Sequence, residues 1–292
     1  MKNLFKNLGV KASIITIFIN IFLFLFKIFA GVISHSTALI SDAIHSLSDS
    51  FTTIIVIFGL IISDKEADDR HPYGHERIES VFAIILSFFL MVTGFIIGYI
   101  AIKNLFLKEY QIITYSSLAL IAAIVSILVK EGMYHYTMVI AKKINSPSME
   151  ADAWHHRSDA LSSIGSLIGV LGAKYGFPIL DSMCSIIICV LIVKSAIEVF
   201  IASINQLLDC SCDEDTKNKI KKIIEENKEV LGIKEIKTRI FGSKIYVDVE
   251  IFIKGNISLY QANKIVIEIH DSIESKISKV KHCNIHINPT NK

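Results

Sequence analysis

Two copies of the pattern His-x-x-x-Asp, His45–Asp49 and His155–Asp159, lie in apolar stretches far apart in the chain. A spacing of four places both side chains of each copy on one helix face, with Cβ atoms about 5–6 Å apart. A carboxylate in a membrane-like setting is costly, and it usually faces the protein interior and serves transport or catalysis. Two neutral imidazoles and two carboxylates supply four ligand atoms, which suits one tetrahedral divalent cation. The pattern therefore predicts a metal site inside a helical bundle.

Each pair also has a structural interpretation, as a hydrogen bond within one helix in the interior of a bundle. Two matching pairs favour the metal site instead, because every buried carboxylate needs its own compensation. The metal site further requires that the two helices pack against each other.

The composition indicates a membrane protein with a soluble tail. Of 292 residues, 52% are hydrophobic, and the mean hydropathy of +0.51 exceeds that of ordinary soluble domains. The apolar residues concentrate before about residue 205. A formal net charge of +2 without a long basic run predicts no nucleic-acid partner. The five cysteines show no disulfide framework.

Six segments are long enough to cross about 30 Å of hydrocarbon, which takes about 20 helical residues. They lie near 11–33, 37–63, 78–102, 114–141, 149–173 and 179–203. Lys and Arg in the short loops collect on one side, which is therefore predicted to be cytoplasmic. An even number of spans places both termini there. We expect a multi-pass protein of the cell membrane, in contact with the lipid bilayer.

Residues 208–292 are predicted to form a second, cytosolic domain, after a membrane domain of residues 1–207. Helical periodicity and strand alternation predict the order αββαβ, with strands near 233–241, 244–253 and 281–288. The fold class is thus an all-α six-helix transmembrane bundle with a small α+β domain, ferredoxin-like or metallochaperone-like. A domain of this size more readily dimerises or regulates than holds a roomy active site.

The segments Ser41–Asp49 and Ala151–Asp159 and the loop Ala67–Arg77 together resemble the cation diffusion facilitator family. The resemblance covers nearly the whole chain, and its motifs fall in the family's order. It implies a homodimeric exporter that exchanges cytosolic divalent metal for protons. By the same resemblance, the exchange runs through a quartet of ligands: His45, Asp49, His155 and Asp159. A histidine at the first quartet position is similar to the zinc-transporting branches.

The residues themselves favour the same chemistry. Metal ligands must be deprotonated, so metal ions and protons compete for the same atoms, and histidine titrates near physiological pH. Two imidazoles with two carboxylates favour Zn²⁺, whereas Mn²⁺ prefers octahedral, oxygen-rich coordination. Zn²⁺ is therefore the expected cargo, with Fe²⁺ or Mn²⁺ as the alternatives, and no cofactor is expected beyond the transported ion.

A second cluster, Asp68, His71 and His75, lies in the loop between the second and third spans. The resemblance implies an auxiliary metal site there, with Asp69 as the alternative carboxylate. The other interpretation is a solvated polar loop that shapes the entry to the third span.

Arg77 and Asp209 resemble a charged pair that, in the family, ties the third span to the end of the sixth. Such a pair would couple the soluble domain to the bundle. Two interfacial residues in water are the alternative, since an exposed salt bridge contributes about 0–1 kcal/mol.

A weaker candidate site lies in the cytosolic domain. Asp248 or Glu250 could bind a metal with His286, and His282 or His270 could join them. Such residues also commonly form a plain polar sheet face, and a binuclear zinc site is not expected.

Three other classes of protein remain as rivals: a membrane metalloenzyme, a metal-gated channel and a metal sensor. An enzyme would need a base or nucleophile beside the metal, and the chain has no HExxH or Ser/His constellation. It is therefore not expected to be an enzyme.

Two lysines, Lys27 and Lys130, also lie within the predicted spans. Lys27 is expected to snorkel to the interface, and Lys130 is expected to pair with a carboxylate that spacing does not identify.

Overall fold

The computed structural model describes residues 8–33, 37–107, 117–174 and 179–290. The chain divides into two compact units, Met1–Ser203 and Ile204–Lys292. The first consists of long helices and the second is a small α+β domain, so the predicted fold class is confirmed.

Six long helices form the first unit. Their bounds are α1 Leu8–Ile33, α2 Thr37–Ser63, α3 Arg77–Leu107, α4 Ser117–Ile144, α5 Pro147–Lys174 and α6 Ile179–Leu207. Each coincides with a predicted span to within a few residues. At about 1.5 Å per residue, each exceeds about 30 Å of hydrocarbon.

Three stretches of the described chain are long and apolar enough to cross a membrane by length and composition alone. These are Leu8–Ala30, Arg77–Leu107 and Ser185–Leu207. The helices α2 and α5 carry the histidine and carboxylate side chains of the predicted site, and α4 carries Lys130. Their polar residues need a protein partner inside the bundle.

Large apolar side chains cover the outer faces of the bundle. Phe18, Phe22 and Phe29 of α1 and Phe95 and Tyr99 of α3 are all more than half exposed. Monomeric soluble proteins rarely expose so continuous an apolar surface. These faces suit contact with lipid.

The interior of the bundle is built from helix pairs. α1 packs against α2 and α4, and α5 packs against α4, α3 and α2. Lys27 of α1 is 2% exposed, and its Nζ donates to Ser46 Oγ of α2 at 2.8 Å. The prediction that Lys27 snorkels is therefore wrong, because the α1–α2 contact encloses the ammonium and supplies a partner.

α3 and α6 approach each other closely at two glycines of α3, Gly94 and Gly98. A Cβ at Gly98 would lie 2.5 Å from Cys189 Sγ, and one at Gly94 would lie 2.8 Å from Val193 Cγ2. Small residues at this spacing let membrane helices pack backbone to side chain.

The second unit contains α7 Glu214–Glu225, β1 Gly232–Phe241, β2 Lys244–Lys254, α8 Leu259–Lys276 and β3 Val280–Thr290. The sheet order is β1-β2-β3, with β1 antiparallel and β3 parallel to β2. The alternating apolar residues of β2 are buried in one core with residues of both helices, at Ile245, Val247, Val249, Ile251 and Ile253. Ser258 caps α8 in a capping box with Gln261.

Gly98→Ala should lower the thermal unfolding midpoint of the detergent-solubilised chain, although alanine is the better helix former. Both Sγ and Cβ of Cys189 would be too close to the new methyl group, and overpacking typically costs about 1–3 kcal/mol. Gly132→Ala is the matched control, because no atom lies within 4 Å of the position that its methyl group would take. An equal midpoint for the two variants would contradict the close α3–α6 approach.

Candidate metal centre

Three predicted ligands from two helices meet inside the bundle. One ligand atom each from Asp49 of α2 and from His155 and Asp159 of α5 lie within 4.8 Å of one another. His155 Nε2 is 3.5 Å from Asp49 Oδ1 and 4.0 Å from Asp159 Oδ2. Tetrahedral zinc with bonds of about 2.1 Å needs ligand atoms roughly 3.4 Å apart. The distances from His155 Nε2 to the two carboxylate oxygens are therefore close to those around one zinc ion.

His155 Nε2 is buried, and its nearest described acceptor, Asp49 Oδ1, lies 3.5 Å away, which is longer than a normal N–H···O hydrogen bond. A buried polar atom with so weak a partner is costly, and it commonly marks the place of an absent ion or ligand. The donor set of one imidazole and two carboxylates fits a divalent metal as transported substrate.

His45 lies one turn before Asp49 on α2, and its side chain is outside the described part of the structure. Its membership of the quartet stays a prediction.

Lys130 occupies the centre of the cluster. Its Nζ donates to Asp49 Oδ2 at 2.5 Å and to Asp159 Oδ2 at 3.0 Å. The side chain is 3% exposed. One ammonium from α4 thus joins the two carboxylates, which come from different helices. The position of Lys130 inside an apolar span predicted a carboxylate partner that spacing did not identify, and helix packing supplies two.

A second polar link holds α2 against α5 beside the cluster. Thr53 donates to Asp152 Oδ1 at 3.2 Å, and Asp152 Oδ2 lies 3.6 Å from His156 Nε2. Asp152 and His156 are both buried. This link sets the approach of the helices and was not expected from the sequence.

Arg157 lies on another face of α5 and contacts α4. Its guanidinium lies 4.4 Å from the ring centroid of Tyr134 and 5.6 Å from that of Trp154, and 4.0 Å from Glu131. These contacts fix α5 against α4, close to Lys130.

The loop cluster also comes together. Ligand atoms of Asp68, His71 and His75 lie within 4.8 Å of one another. Asp68 Oδ1 accepts from the backbone N–H groups of His71 at 2.8 Å and of Arg70 at 3.0 Å. The His71 backbone bond, more than any other contact, holds the pKa of Asp68 well below its usual range. The carboxylate is therefore ionised and fixed in direction at physiological pH.

The weaker cytosolic set does not gather in the described residues as a three-ligand group. Glu250 and His286 are neighbours across β2 and β3, but Glu250 Oε2 accepts from Lys234 Nζ at 2.7 Å and from Asn288 Nδ2 at 3.1 Å. Asp248 lies 3.4 Å from the guanidinium of Arg239. Each carboxylate thus already has a cationic partner. Metal binding by Asp248, Glu250 and His286 stays a prediction.

A different group of ligands meets in the same domain. His270 and Glu274 of α8 and His282 of β3 have ligand atoms within 4.8 Å of one another. Glu274 was absent from the predicted set. Glu274 and His282 come together because the end of α8 lies next to the start of β3. No local sequence pattern indicates that arrangement.

Arg77 begins α3 in the first unit, and Asp209 follows α6 in the second. Their pairing stays a prediction.

Comparison with known proteins agrees with this architecture. The family model of the cation efflux transmembrane domain matches residues 13–208, and that of the cation efflux protein cytoplasmic domain matches residues 212–290. The two together cover most of the chain.

Similar proteins come from distant organisms. An uncharacterised transporter of Methanocaldococcus jannaschii is 36% identical over 277 residues, which are 95% of this chain and 97% of that protein. The manganese efflux system protein MneP of Bacillus subtilis is 32% identical, over 96% of this chain and 95% of its own. The magnetosome protein MamB of a Magnetospira strain is 32% identical, over 93% of this chain and 92% of its own.

Solved structures of the MamM C-terminal domain are also similar. A cadmium form of one variant is 21% identical and has a TM-score of 0.26, covering 26% of this chain and 95% of that domain.

A membrane bundle with a buried imidazole–carboxylate cluster and an α+β tail defines a class of metal transporters. The chain belongs to the cation diffusion facilitator family of divalent metal cation efflux proteins. In such a transporter the metal ion is the transported substrate and not a resident cofactor.

Asp68→Ala should remove metal binding from the loop, because it deletes a ligand and the acceptor that orders the His71 backbone. We expect about one bound Zn²⁺ fewer per chain by equilibrium dialysis of the purified protein. Asp69→Ala is the matched control, since the carboxylate that meets His71 and His75 is that of Asp68. The opposite result, loss in Asp69→Ala alone, would assign the carboxylate ligand to Asp69.

Proposed function

We propose that this transporter exports a divalent transition-metal cation in exchange for protons. The ligands in this proposal are Asp49, His155 and Asp159, with His45 as the fourth. The observation that carries it is the meeting of an imidazole and two carboxylates from α2 and α5 within 4.8 Å. Ionisable residues inside an apolar bundle are costly and usually line the path of an ion or a proton.

Proton coupling follows from the ligands. Carboxylates and imidazoles bind either a metal ion or protons, and one occupant excludes the other. If the site opens alternately to the two sides, metal leaves where protons arrive. Such a site needs no separate proton channel for an exchange.

Zn²⁺ is the cargo that the ligand chemistry favours. Imidazole with carboxylate in a compact site suits zinc. Mn²⁺ is the second candidate, because MneP is a manganese efflux protein by name and two of the three described ligands are carboxylates. Fe²⁺ is the third.

The division of labour follows the two units. In this proposal residues 1–207 transport the metal, and residues 208–292 dimerise the chain and regulate it from the cytosol. Both termini are cytoplasmic, Asp68, His71 and His75 form an auxiliary metal site, and Arg77 with Asp209 couples the units. No catalytic step is involved.

Asp49→Ala and Asp159→Ala should each reduce metal export by at least about 100-fold, because each removes a charged ligand from a buried site. Export is measured as uptake of Zn²⁺ or Mn²⁺ into proteoliposomes with a metal-sensitive dye. Asp64→Ala, an exposed carboxylate just after α2, is the control and should transport normally.

Retained transport in either purified variant would overturn the proposal. Metal binding without movement in the wild-type chain would favour a sensor, and movement without proton flux a channel.

A further inference from the structure

We propose that Lys130 is a tethered cation that holds the place of the metal ion in the metal-free transporter. The inference rests on the proposed function, and it adds a residue that sets the affinity and release of the cargo. The ammonium bridges the same two carboxylates that would bind the metal.

Because the three residues lie deep in the bundle, the two carboxylates need a cation beside them even when no metal ion is bound. Asp49, Lys130 and Asp159 each lie near the middle of a helix, in Thr37–Ser63, Ser117–Ile144 and Pro147–Lys174 respectively. The middle of such a helix is roughly 20 Å from either end. Two carboxylates at that depth are very unfavourable without a cation.

The ammonium and a metal ion compete for the same atoms. Lys130 Nζ is 2.5 Å from Asp49 Oδ2 and 3.0 Å from Asp159 Oδ2. A metal bonded at about 2.1 Å to both oxygens would lie within about 5 Å of Nζ, where like charges repel strongly in a buried site. Metal binding therefore requires the ammonium to withdraw.

Competition between the ammonium and the metal ion would help the transporter release its cargo in each cycle. A site with two carboxylates and imidazole would otherwise bind a transition metal tightly and release it slowly. The returning ammonium lowers the affinity and refills the site once the metal has left. In the empty carrier the ammonium balances one of the two carboxylate charges, and a proton on the ligands balances the other, so the change of conformation stays coupled to protons.

Lys130→Met tests this inference because methionine keeps the length and helix propensity but removes the charge. The KM for transported Zn²⁺ and Mn²⁺ should fall, and equilibrium affinity should rise by at least about tenfold, while the maximal rate falls. A merely structural role would weaken binding instead. Lys130→Gln, neutral but able to donate to the carboxylates, is the second variant if Lys130→Met does not fold.

Two controls identify the site and the charge. Lys130→Arg keeps the cation and should retain the weaker affinity, and Lys142→Met, on an exposed position of the same helix, should match the wild type. The tight binding of Lys130→Met should disappear in the double variant with Asp49→Ala.

Unchanged or weaker affinity in both neutral variants would overturn the role of Lys130 while leaving the transport proposal intact. Normal transport by Asp49→Ala would instead remove the transport proposal itself.

A separate observation leads to a second proposal. We infer that His270, Glu274 and His282 form a binding site for a borderline divalent cation such as Zn²⁺ or Co²⁺ in the cytosolic domain. Glu274 Oε1 lies 2.9 Å from His270 Nε2 and 3.6 Å from His282 Nδ1. Two imidazoles and one carboxylate, with room for water, are a common ligand set for such ions.

The surroundings orient these ligands as a metal site requires. His270 Nδ1, the ring nitrogen that faces away from Glu274, lies 3.1 Å from Asp271 Oδ1. Metal-binding histidines usually donate their second ring N–H to a carboxylate in this way. Glu274 Oε1 also accepts from the backbone N–H of Cys283 at 3.1 Å. An ion here would join the end of α8 to the start of β3.

Cobalt titration of the full-length chain in detergent tests the site. His270→Asn and His282→Asn should each bind one Co²⁺ fewer per chain than the wild type and lose the matching visible absorption. Glu268→Gln, at an exposed carboxylate of α8 outside the cluster, is the control and should bind as the wild type does. The same stoichiometry and spectrum in all three variants would overturn this site.

Discussion

Two carboxylates from different helices, buried at mid-bundle, must share a cation at every stage. That constraint organises the membrane unit. In the structure the cation is the Lys130 ammonium, which contacts both Asp49 and Asp159. During transport it would be a metal ion, or protons that neutralise the carboxylates directly. In the proposed transport cycle, each step is set by which of these cations occupies the site.

The packing around the cluster serves to bring these charges together. Thr53 and Asp152 join α2 to α5, and the Arg157 guanidinium stacks on aromatic rings at the α4–α5 contact. Farther along, Glu79 at the start of α3 is buried and accepts from the hydroxyl groups of Ser146 and Ser148. These contacts tie α3 to the turn between α4 and α5. Polar groups thus join the helices at these points, and buried apolar clusters fill the space between the helices.

The sequence predicted the parts of the structure that local pattern determines. Segment length predicted the six long helices, and strand alternation predicted the three strands of the second unit. The spacing of four predicted that His155 and Asp159 share a face, since that relation lies within one helix.

Local sequence patterns could not predict which side chains of different helices and strands contact each other. The sequence showed that Lys130 is an intramembrane charge, but its contacts with Asp49 and Asp159 depend on how the helices pack. Lys27 was expected at the interface because its buried acceptor, Ser46, lies on another helix. Glu274 joins two histidines only through the contact of α8 with β3, so spacing along the chain could not find it.

Exchange of metal for protons at one site is tested most directly by recording both fluxes simultaneously. Proteoliposomes carrying the wild-type chain would hold a pH-sensitive dye and a metal-sensitive dye, with Zn²⁺, Mn²⁺ and Fe²⁺ supplied in turn. We expect metal uptake to be accompanied by proton movement in the opposite direction, and an imposed proton gradient to drive the metal. Metal movement that is indifferent to the proton gradient would contradict the exchange.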